Sequence, residues 1–257
     1  MSKKFTVTLI VLLSIITISI VVLFIILLSG KFRFRFSFNT GHYDNVVVDE
    51  EYDNIEDIKI DTNGADITIK ESNDDKFRVV VKGLEDKTNV TLDDGNLVVK
   101  TDIKKCKFFC INNKVAIVDL YLPANYDKNI TIDSKYGDIK ISNFDDMNLK
   151  IKSNYGDIEI ESINDIKINS NYGDIKIQKI NNYLDISSDY GDIKINELII
   201  NENSYIDSSY GDIKISKTND IRIDSKTSFG DNKVYDNNSR SDISLKVNAS
   251  FGDIKIN

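Results

Sequence analysis

Short runs in which apolar and polar residues alternate fill most of the chain after residue 44, and they predict β-strands. In the second half, the alternation repeats around an aromatic–Gly–Asp triplet. With the aromatic residue as position 0, apolar residues occupy −6, −4, +3 and +5, and a small residue occupies −2. Each unit therefore predicts two short strands joined by a bend. The seven triplets begin at Tyr136, Tyr155, Tyr172, Tyr190, Tyr210, Phe229 and Phe251.

The spacing of the triplets decides the fold that we expect. Successive triplets are 17 to 22 residues apart, and such a short unit cannot bury its own apolar face unless copies stack. The inward positions are even before the glycine and odd after it, which predicts a corner where glycine adopts a positive φ. We predict an all-β, single-domain β-solenoid, with the variable segments as loops. Consecutive hairpins in a β-sandwich are the alternative.

Residues 44–122 are rich in predicted strands but lack the regular repeat. Strands are expected at 67–69, 77–81, 90–92, 97–99 and 115–122, and Asp94-Gly95 predicts a hairpin turn. This segment is interpreted as an irregular lead-in or cap, and Pro123 either opens the regular stack at 123–257 or is an ordinary edge or turn proline. Since no linker rich in Gly, Pro or Ser separates the two parts, we expect them to form one continuous domain.

The first 30 residues predict a membrane anchor. Residues 5–30 carry no charge and are dominated by Ile, Leu and Val, which is long enough to span a bilayer as a helix. A signal peptide cleaved near Ser29-Gly30 is the alternative. Basic residues flank both ends, so orientation rests on the β domain, which favours an inside N-terminus and an extracytoplasmic body. Residues 31–43 form a juxtamembrane basic–aromatic segment; its stretch 31–38 predicts either an interfacial collar or a first strand.

Charge is divided unevenly along the chain. The net charge is −8, but residues 1–40 carry +5, so the remaining body carries −13. An acidic body argues against nucleic-acid binding, which requires clustered Lys and Arg. Beyond the lipid bilayer, contacted through residues 5–30, the expected partner is an unidentified envelope polymer or protein.

The repeated Asp at +2 has two interpretations. A row of carboxylates could bind Ca²⁺, or each Asp could cap its turn by accepting backbone N–H groups, which we favour. Six copies carry Lys at +4, and Glu159 is the exception, so a lysine row could balance the acidic row without metal. The carboxylates are Asp138, Asp157, Asp174, Asp192, Asp212, Asp231 and Asp253.

The aromatic residue at position 0 shares its parity with the inward positions. We therefore expect the rings to pack on the inner side of the corner, although an exposed row could bind a polysaccharide. Other candidate groups are sparse. His42 is interpreted as a surface residue, and Cys106 and Cys110 are either a local disulfide or two free thiols. No catalytic, cofactor or metal site residue is assigned.

The pattern resembles a bacterial family of adhesin-like β-strand-repeat proteins, also described as toastrack-type domains. The residues that carry the resemblance are 118–123, 130–141, the recurring Ser-x-Tyr-Gly-Asp-Ile-x-Ile, and 58–69. The resemblance covers about 55–257. It implies a single-sheet, β-helix-like fold, commonly behind a membrane anchor, without an established catalytic activity or defined functional residues.

Three functional hypotheses follow. The first is a non-enzymatic, membrane-anchored surface module that binds an envelope polymer or partner, or helps to sense envelope stress. The second is a polysaccharide-processing enzyme, for which the coil around Arg222 and Arg240 is the candidate site. The third is a self-assembling scaffold, in which the final coil, ending at Ile256, pairs edge to edge with another chain.

Overall fold

The structure, a computed structural model, describes residues 39–74, 76–103 and 112–257. The predicted membrane span at 5–30, the segment 31–38 and the cysteine pair therefore lie outside the described residues. Within the described part of the chain, no helix is long and apolar enough to cross a membrane.

The described residues are almost entirely β-structure, which confirms the all-β prediction. The lead-in contains β1 Asn39–His42, β2 Val46–Tyr52, β3 Asp57–Thr62, β4 Ala65–Glu71, β5 Phe77–Lys82, β6 Thr88–Asp93, β7 Asn96–Thr101 and β8 Asn112–Leu122, with a short 3₁₀ helix at Glu85–Lys87. The repeats contain β9 Asn129–Ser134, β10 Ile139–Tyr155, β11 Ile158–Tyr172, β12 Ile175–Tyr190, β13 Ile193–Leu198, β14 Ser204–Tyr210, β15 Ile213–Ile215, β16 Arg222–Phe229, β17 Asn232–Val234, β18 Ser244–Phe251 and β19 Ile254–Ile256.

The repeats stack in parallel and in register in one continuous sheet, and we call its parts before and after the triplets the leading and the trailing sheet. Before the triplets, β9 pairs with β10, β10 with β11, and β11 with β12. After the triplets, the pairing continues from β4 through β10, β11, β12, β13 and β15. The apolar positions on both sides of the triplet are buried, as Ile151 and Ile139 show, so the core lies between the two sheets.

The first variable segments are not the loops that we expected. β10, β11 and β12 run for 15 to 17 residues, from one triplet to the next, and absorb the length differences as register shifts after Phe144 and Ile163. Burial of Phe144, Met147 and Ile163 explains why these segments stay paired. The later segments, 199–203, 216–221 and 235–243, are loops.

The last two coils are stacked in the reverse of their sequence order. β14 pairs with β18, and β18 pairs with β16; likewise β15 pairs with β19, and β19 with β17. The coil at 244–256 therefore lies between the coil at 204–215 and the coil at 222–234. The expectation that the coil ending at Ile256 forms the exposed edge is wrong, because the coil of β16 and β17 occupies that end.

The lead-in continues both sheets. β3 pairs in parallel with β9 and β7, while β4 pairs with β8, so the lead-in supplies the first coil of the stack. The strands predicted from the sequence in this region are present. β6 and β7 form an antiparallel hairpin, and its turn has positive φ at Asp94 (45°) and Gly95 (77°), as the Asp-Gly pair predicts.

Glycine is required at every triplet corner for two reasons, the backbone conformation and the close approach of the neighbouring coil. The seven triplet glycines have φ between 126° and 151°, a region that L side chains rarely adopt. A Cβ on Gly173 would also lie 2.1 Å from the carbonyl oxygen of Gly156 in the preceding coil, and the other corners are equally tight. The coils can reach strand spacing at the corner only because no side chain is present.

Small side chains at −2 form a buried row beside these corners. The row contains Thr101, Thr62, Ser134, Ser153, Ser170, Ser188, Ser208, Ala249 and Thr227, in stack order. Among the described residues, the hydroxyl groups of Ser153, Ser170, Ser188 and Ser208 find no hydrogen-bond partner. The row is therefore selected for size, and these four hydroxyl groups carry a desolvation cost, whereas Thr62 donates to Ser134 and Thr227 donates to the Gly252 carbonyl.

We expect Gly173→Ala to lower the free energy of unfolding by about 2–4 kcal/mol, because it combines an unfavourable φ with the contact to the Gly156 carbonyl. The matched control is Gly41→Ala, since a Cβ there meets nothing within 4 Å. Urea unfolding followed by far-ultraviolet circular dichroism measures both. Equal midpoints for the two variants would contradict the close-approach argument.

We expect Ser170→Ala to leave the free energy of unfolding unchanged or to raise it by about 1 kcal/mol, because it removes a buried hydroxyl group without a partner in the described structure. Ala249 already occupies the same row. Ser204→Ala is the control: its hydroxyl group donates to Glu202 O and accepts from Leu184 N–H, so its loss should destabilise the chain. Destabilisation of similar size in both variants would show that the row hydroxyls are satisfied.

Candidate binding surface

The triplet aromatic residues lie outside the corner, not inside it. Ser153 at −2 and Ile158 at +3 are buried, whereas 45% of Tyr155 is exposed between them. Alternation in the leading strand ends at −2, and the bend that follows turns the aromatic side chain at position 0 outward. The expectation that the rings pack on the inner side is therefore wrong. A tyrosine in a core position needs a polar partner or water for its phenol hydroxyl group, and the parity of the position does not reflect that need.

The seven rings form one continuous stack along the corner, which we call the aromatic ladder. Adjacent centroids are 4.8–5.1 Å apart, and adjacent ring planes differ by only 2–6°. This spacing matches the separation of paired strands, because each ring follows its own strand. The six steps span about 29 Å. In stack order the aromatic ladder is Tyr136, Tyr155, Tyr172, Tyr190, Tyr210, Phe251 and Phe229.

Stacking determines which part of each ring a partner can reach. An interior ring has a neighbour on both faces, so its exposed surface is the ring edge and, in tyrosine, the hydroxyl group. Phe229 stacks only on Phe251, and its exposed fraction is correspondingly 66%, against 43–45% for Tyr155, Tyr172, Tyr190, Tyr210 and Phe251. A sugar that stacks on an aromatic face would therefore find such a face at Phe229 but not along the interior of the ladder.

An aspartate row runs along one flank of the aromatic ladder. Asp157 donates its backbone N–H to Asp138 Oδ1 at 3.0 Å, and every later triplet Asp repeats this bond with the Asp before it in the stack. The carboxylates accept from the next coil and not from their own turn, so the expectation that each Asp caps its own turn is wrong, although they do accept backbone N–H groups. Such charge-assisted bonds offset the repulsion between neighbouring carboxylates, roughly 0.9 kcal/mol per pair in water.

The row has distinct ends. At the first end, Asp66 Oδ1 accepts from Asp138 N–H at 2.9 Å, and Asp66 Oδ2 lies 2.5 Å from His42 Nε2. His42 thus has a positioned acidic partner that sequence analysis did not find. At the other end, the ammonium of Lys233 bonds to Asp231 at 2.8 Å and lowers the pKa of that carboxyl group below its ordinary value.

The lysine row at +4 pairs with acids only in part. Lys176 lies 3.9 Å from Asp174, and Lys140 pairs at 3.5 Å with Glu159, the one acid in the row. Lys233 pairs with Asp231, as described above, and register places Lys194, Lys214 and Lys255 on adjacent strands. In the described part of the chain, no group of three or more His, Cys, Asp or Glu side chains is arranged to hold a metal ion.

The opposite flank of the aromatic ladder, at position −1, is mostly neutral. Asn171 Nδ2 donates to Asn154 Oδ1 at 3.4 Å along this row. In stack order the residues are Lys135, Asn154, Asn171, Asp189, Ser209, Ser250 and Ser228. The aromatic ladder therefore separates an acidic row from a row of amides and hydroxyl groups.

Side chains cap the end of the stack. The backbone N–H of Arg222 donates to Ile243 O, on the side of β18, so the main chain of the next residue, Ile223, faces outward. The side-chain amide of Asn237 bonds to both the N–H and the C=O of Ile223, each at 2.9 Å. Asn232 and Ser225 take inward positions that are apolar in the other triplet coils, and they bond to each other at 3.0 Å. These side chains line an open cavity of about 590 Å³. The polar cap covers part of the exposed edge.

The coil around Arg222 and Arg240 does not form the acid–base cluster considered above. The Arg222 guanidinium lies 3.3 Å from Asp224 and donates to Ser241 O at 3.1 Å, while Arg240 is exposed and its backbone N–H bonds to Asn238. Arg222 thus fastens the loop at 235–243 to β16.

A second polar row lies at the other corner of the stack. Asp145 accepts from the Ser162 hydroxyl group and, at 2.8 Å, from the Asn181 amide, and these bonds lower its pKa. Asn182 donates to Asp165 at 2.7 Å and accepts from Asn201 at 3.3 Å. Since these groups satisfy one another, the row is a structural feature and offers few free contacts.

We expect Asp192→Ala to lower the free energy of unfolding by about 1–2 kcal/mol, because the N–H of Asp212 loses its carboxylate acceptor. Asp189→Ala is the matched control: it removes the same charge from an exposed position of the same coil. Urea unfolding with 1 mM EDTA or 1 mM CaCl₂ separates the hydrogen bond from any calcium effect. Stabilisation by calcium that depends on Asp192 would contradict the hydrogen-bonding role.

The chain is similar to several solved structures. A candidate adhesin from Bacteroides fragilis aligns with a TM-score of 0.50 and 16% identity, covering 85% of this chain and 100% of its own. A candidate lipid-binding protein from Parabacteroides distasonis aligns with a TM-score of 0.45 and 15% identity, covering 84% and 99%. A candidate cell adhesion protein from Clostridium sporogenes aligns at 0.29 and 13%, covering 81% and 98%.

No curated protein sequence matches the chain. The family model Toastrack DUF4097 matches residues 55–257, which include every repeat and most of the lead-in. This match confirms the resemblance seen in the repeated triplets. The chain belongs to the Toastrack DUF4097 family.

Proposed function

We propose that the protein is a non-enzymatic binding module of the cell envelope, which serves adhesion or the binding of an envelope polymer or protein partner. Residues 5–30 anchor it in the cell membrane as a single transmembrane helix. The N-terminus lies inside, and the β domain is extracytoplasmic. The uncharged apolar run and the acidic β-sheet body support this arrangement.

The exposed aromatic ladder is the observation that carries the proposal. Its rings expose 43–66% of their surface from Tyr155 to Phe229, so that their stacking on one another still leaves a long row of ring edges in contact with water. A contiguous apolar stripe of this length on a water-facing surface is typical of an interaction site. The description of the Bacteroides fragilis protein as a candidate adhesin agrees with a binding role.

The two alternatives have less support. A polysaccharide-processing enzyme would need a catalytic cluster near Arg222, whose guanidinium instead holds a loop. A scaffold built by edge-to-edge pairing would need an open end strand, but Asn237 occupies the outward main chain of Ile223.

The test is a binding panel with the full chain in phosphatidylcholine vesicles. The probes are purified peptidoglycan, peptidoglycan that still carries its anionic polymers, and vesicles that bear a second, fluorescent population of the protein. We expect the chain to bind at least one probe, and we expect Tyr172→Ser/Tyr190→Ser to weaken that binding at least tenfold, because it interrupts the aromatic ladder at its centre. The control Tyr205→Ser changes an equally exposed tyrosine (48%) outside the ladder.

Binding that survives the double substitution would reject the aromatic ladder as the binding surface. Turnover of either polymer, measured as released reducing ends, would reject a non-enzymatic role. Circular dichroism spectra of the variants establish that the fold persists.

A further inference from the structure

The aromatic ladder restricts the shape of its partner. Its interior rings present edges at a fixed repeat of 4.8–5.1 Å, and their faces are covered. A partner that contacts every ring must therefore present groups with the same repeat over about 29 Å. An extended peptide strand does not fit, since its side chains on one face repeat at roughly 6.6 Å. A second copy of this corner fits at every step.

The flanks of the ladder define how two copies can face each other. If the copies lie antiparallel, related by a two-fold axis across the stack, the aspartate row of one faces the aspartate row of the other. If they lie parallel, related by a two-fold axis along the stack, each aspartate row faces the partner's row at −1, which consists of amide and hydroxyl groups except at Lys135 and Asp189. In the described row from Asp138 to Asp253, Oδ1 accepts a backbone N–H and leaves Oδ2 for such donors, except at Asp174, whose Oδ2 lies 3.9 Å from the Lys176 ammonium.

We propose that the aromatic ladder is a homotypic interface, in which two copies of this chain pack side by side in parallel orientation. The inference rests on the proposed function, since it names the partner of the surface proposed there. Parallel copies have their amino-terminal ends on the same side, so the pair forms within one membrane and does not bridge two membranes. The interface is isologous, and each ring faces its own counterpart.

The size of the surface agrees with such a pair. Rings that expose about 45% of roughly 200 Å² each contribute roughly 600 Å² per copy, before the flanking rows are included. A specific interface of standard size buries about 800 Å² per partner. Confinement of both copies to one membrane raises their effective concentration and favours a contact of this size.

Cysteine cross-linking tests both the partner and its orientation. The full chain, in a Cys106→Ser/Cys110→Ser background, is reconstituted in phosphatidylcholine vesicles and oxidised with copper phenanthroline. In the parallel pair each ring meets its own counterpart, so Tyr155→Cys alone should form a covalent dimer at least fivefold faster than the off-ladder control Tyr205→Cys. Vesicle diameter, measured by light scattering, should not increase.

The remaining outcomes separate the possibilities. In an antiparallel pair the second ring meets the sixth, so cross-linking only in a mixture of Tyr155→Cys and Phe251→Cys chains would overturn the parallel arrangement. Equal rates for Tyr155→Cys and Tyr205→Cys would overturn the homotypic interface. In that case, peptidoglycan binding that depends on the aromatic ladder would still support the proposed function. If such binding were also absent, both the homotypic interface and the proposed function would be rejected.

Discussion

The structure depends on the close approach of neighbouring backbones at the triplet corner. The Gly156 carbonyl oxygen lies 2.1 Å from the point where a Cβ of Gly173 would stand, and this contact recurs from coil to coil. Any larger residue would separate the coils locally and break the bonds from each glycine N–H to the aromatic C=O of the next coil. Because the corners are held in step, equivalent side chains align into rows, and each row acquires properties that a single residue lacks.

The alignment of equivalent side chains has a different effect in each row. For the isoleucines of the core it provides continuous burial, and for the rings it provides stacking along the whole corner. For the aspartates it places like charges side by side, and the N–H of the next coil stabilises each of them. For the four serines at −2 from Ser153 to Ser208 it provides no partner in the described structure, so compactness there is gained at the expense of unsatisfied hydroxyl groups.

Much of the fold could be predicted from the sequence because the repeat is local. Alternation around Tyr155-Gly156-Asp157 predicts the strands, the buried positions and the positive φ, and all three are observed. The outward direction of the rings could not be obtained from parity, since the bend interrupts the alternation one residue earlier than expected. The pairing of His42 with Asp66, and the cap made by Asn237, depend on contacts between distant segments that carry no motif. The reversed order of the last coils does have a signal in the sequence, since Ser225 and Asn232 are polar at inward positions that are apolar in the other triplet coils, as expected of a coil at the end of the stack.

That reversal has a consequence for how the molecule is assembled. A stack in sequence order could grow by adding each new coil to the one just completed. Here β16 comes before β18 in the chain, yet its leading-strand neighbour is β18, and β14 has the same neighbour on its other side. In the described structure the strands of the segment at 222–234 pair with β18 and β19, so their native pairing requires those two strands to be in place. Since β18 joins β14 to β16, this part of the stack cannot be completed by adding coils in sequence order.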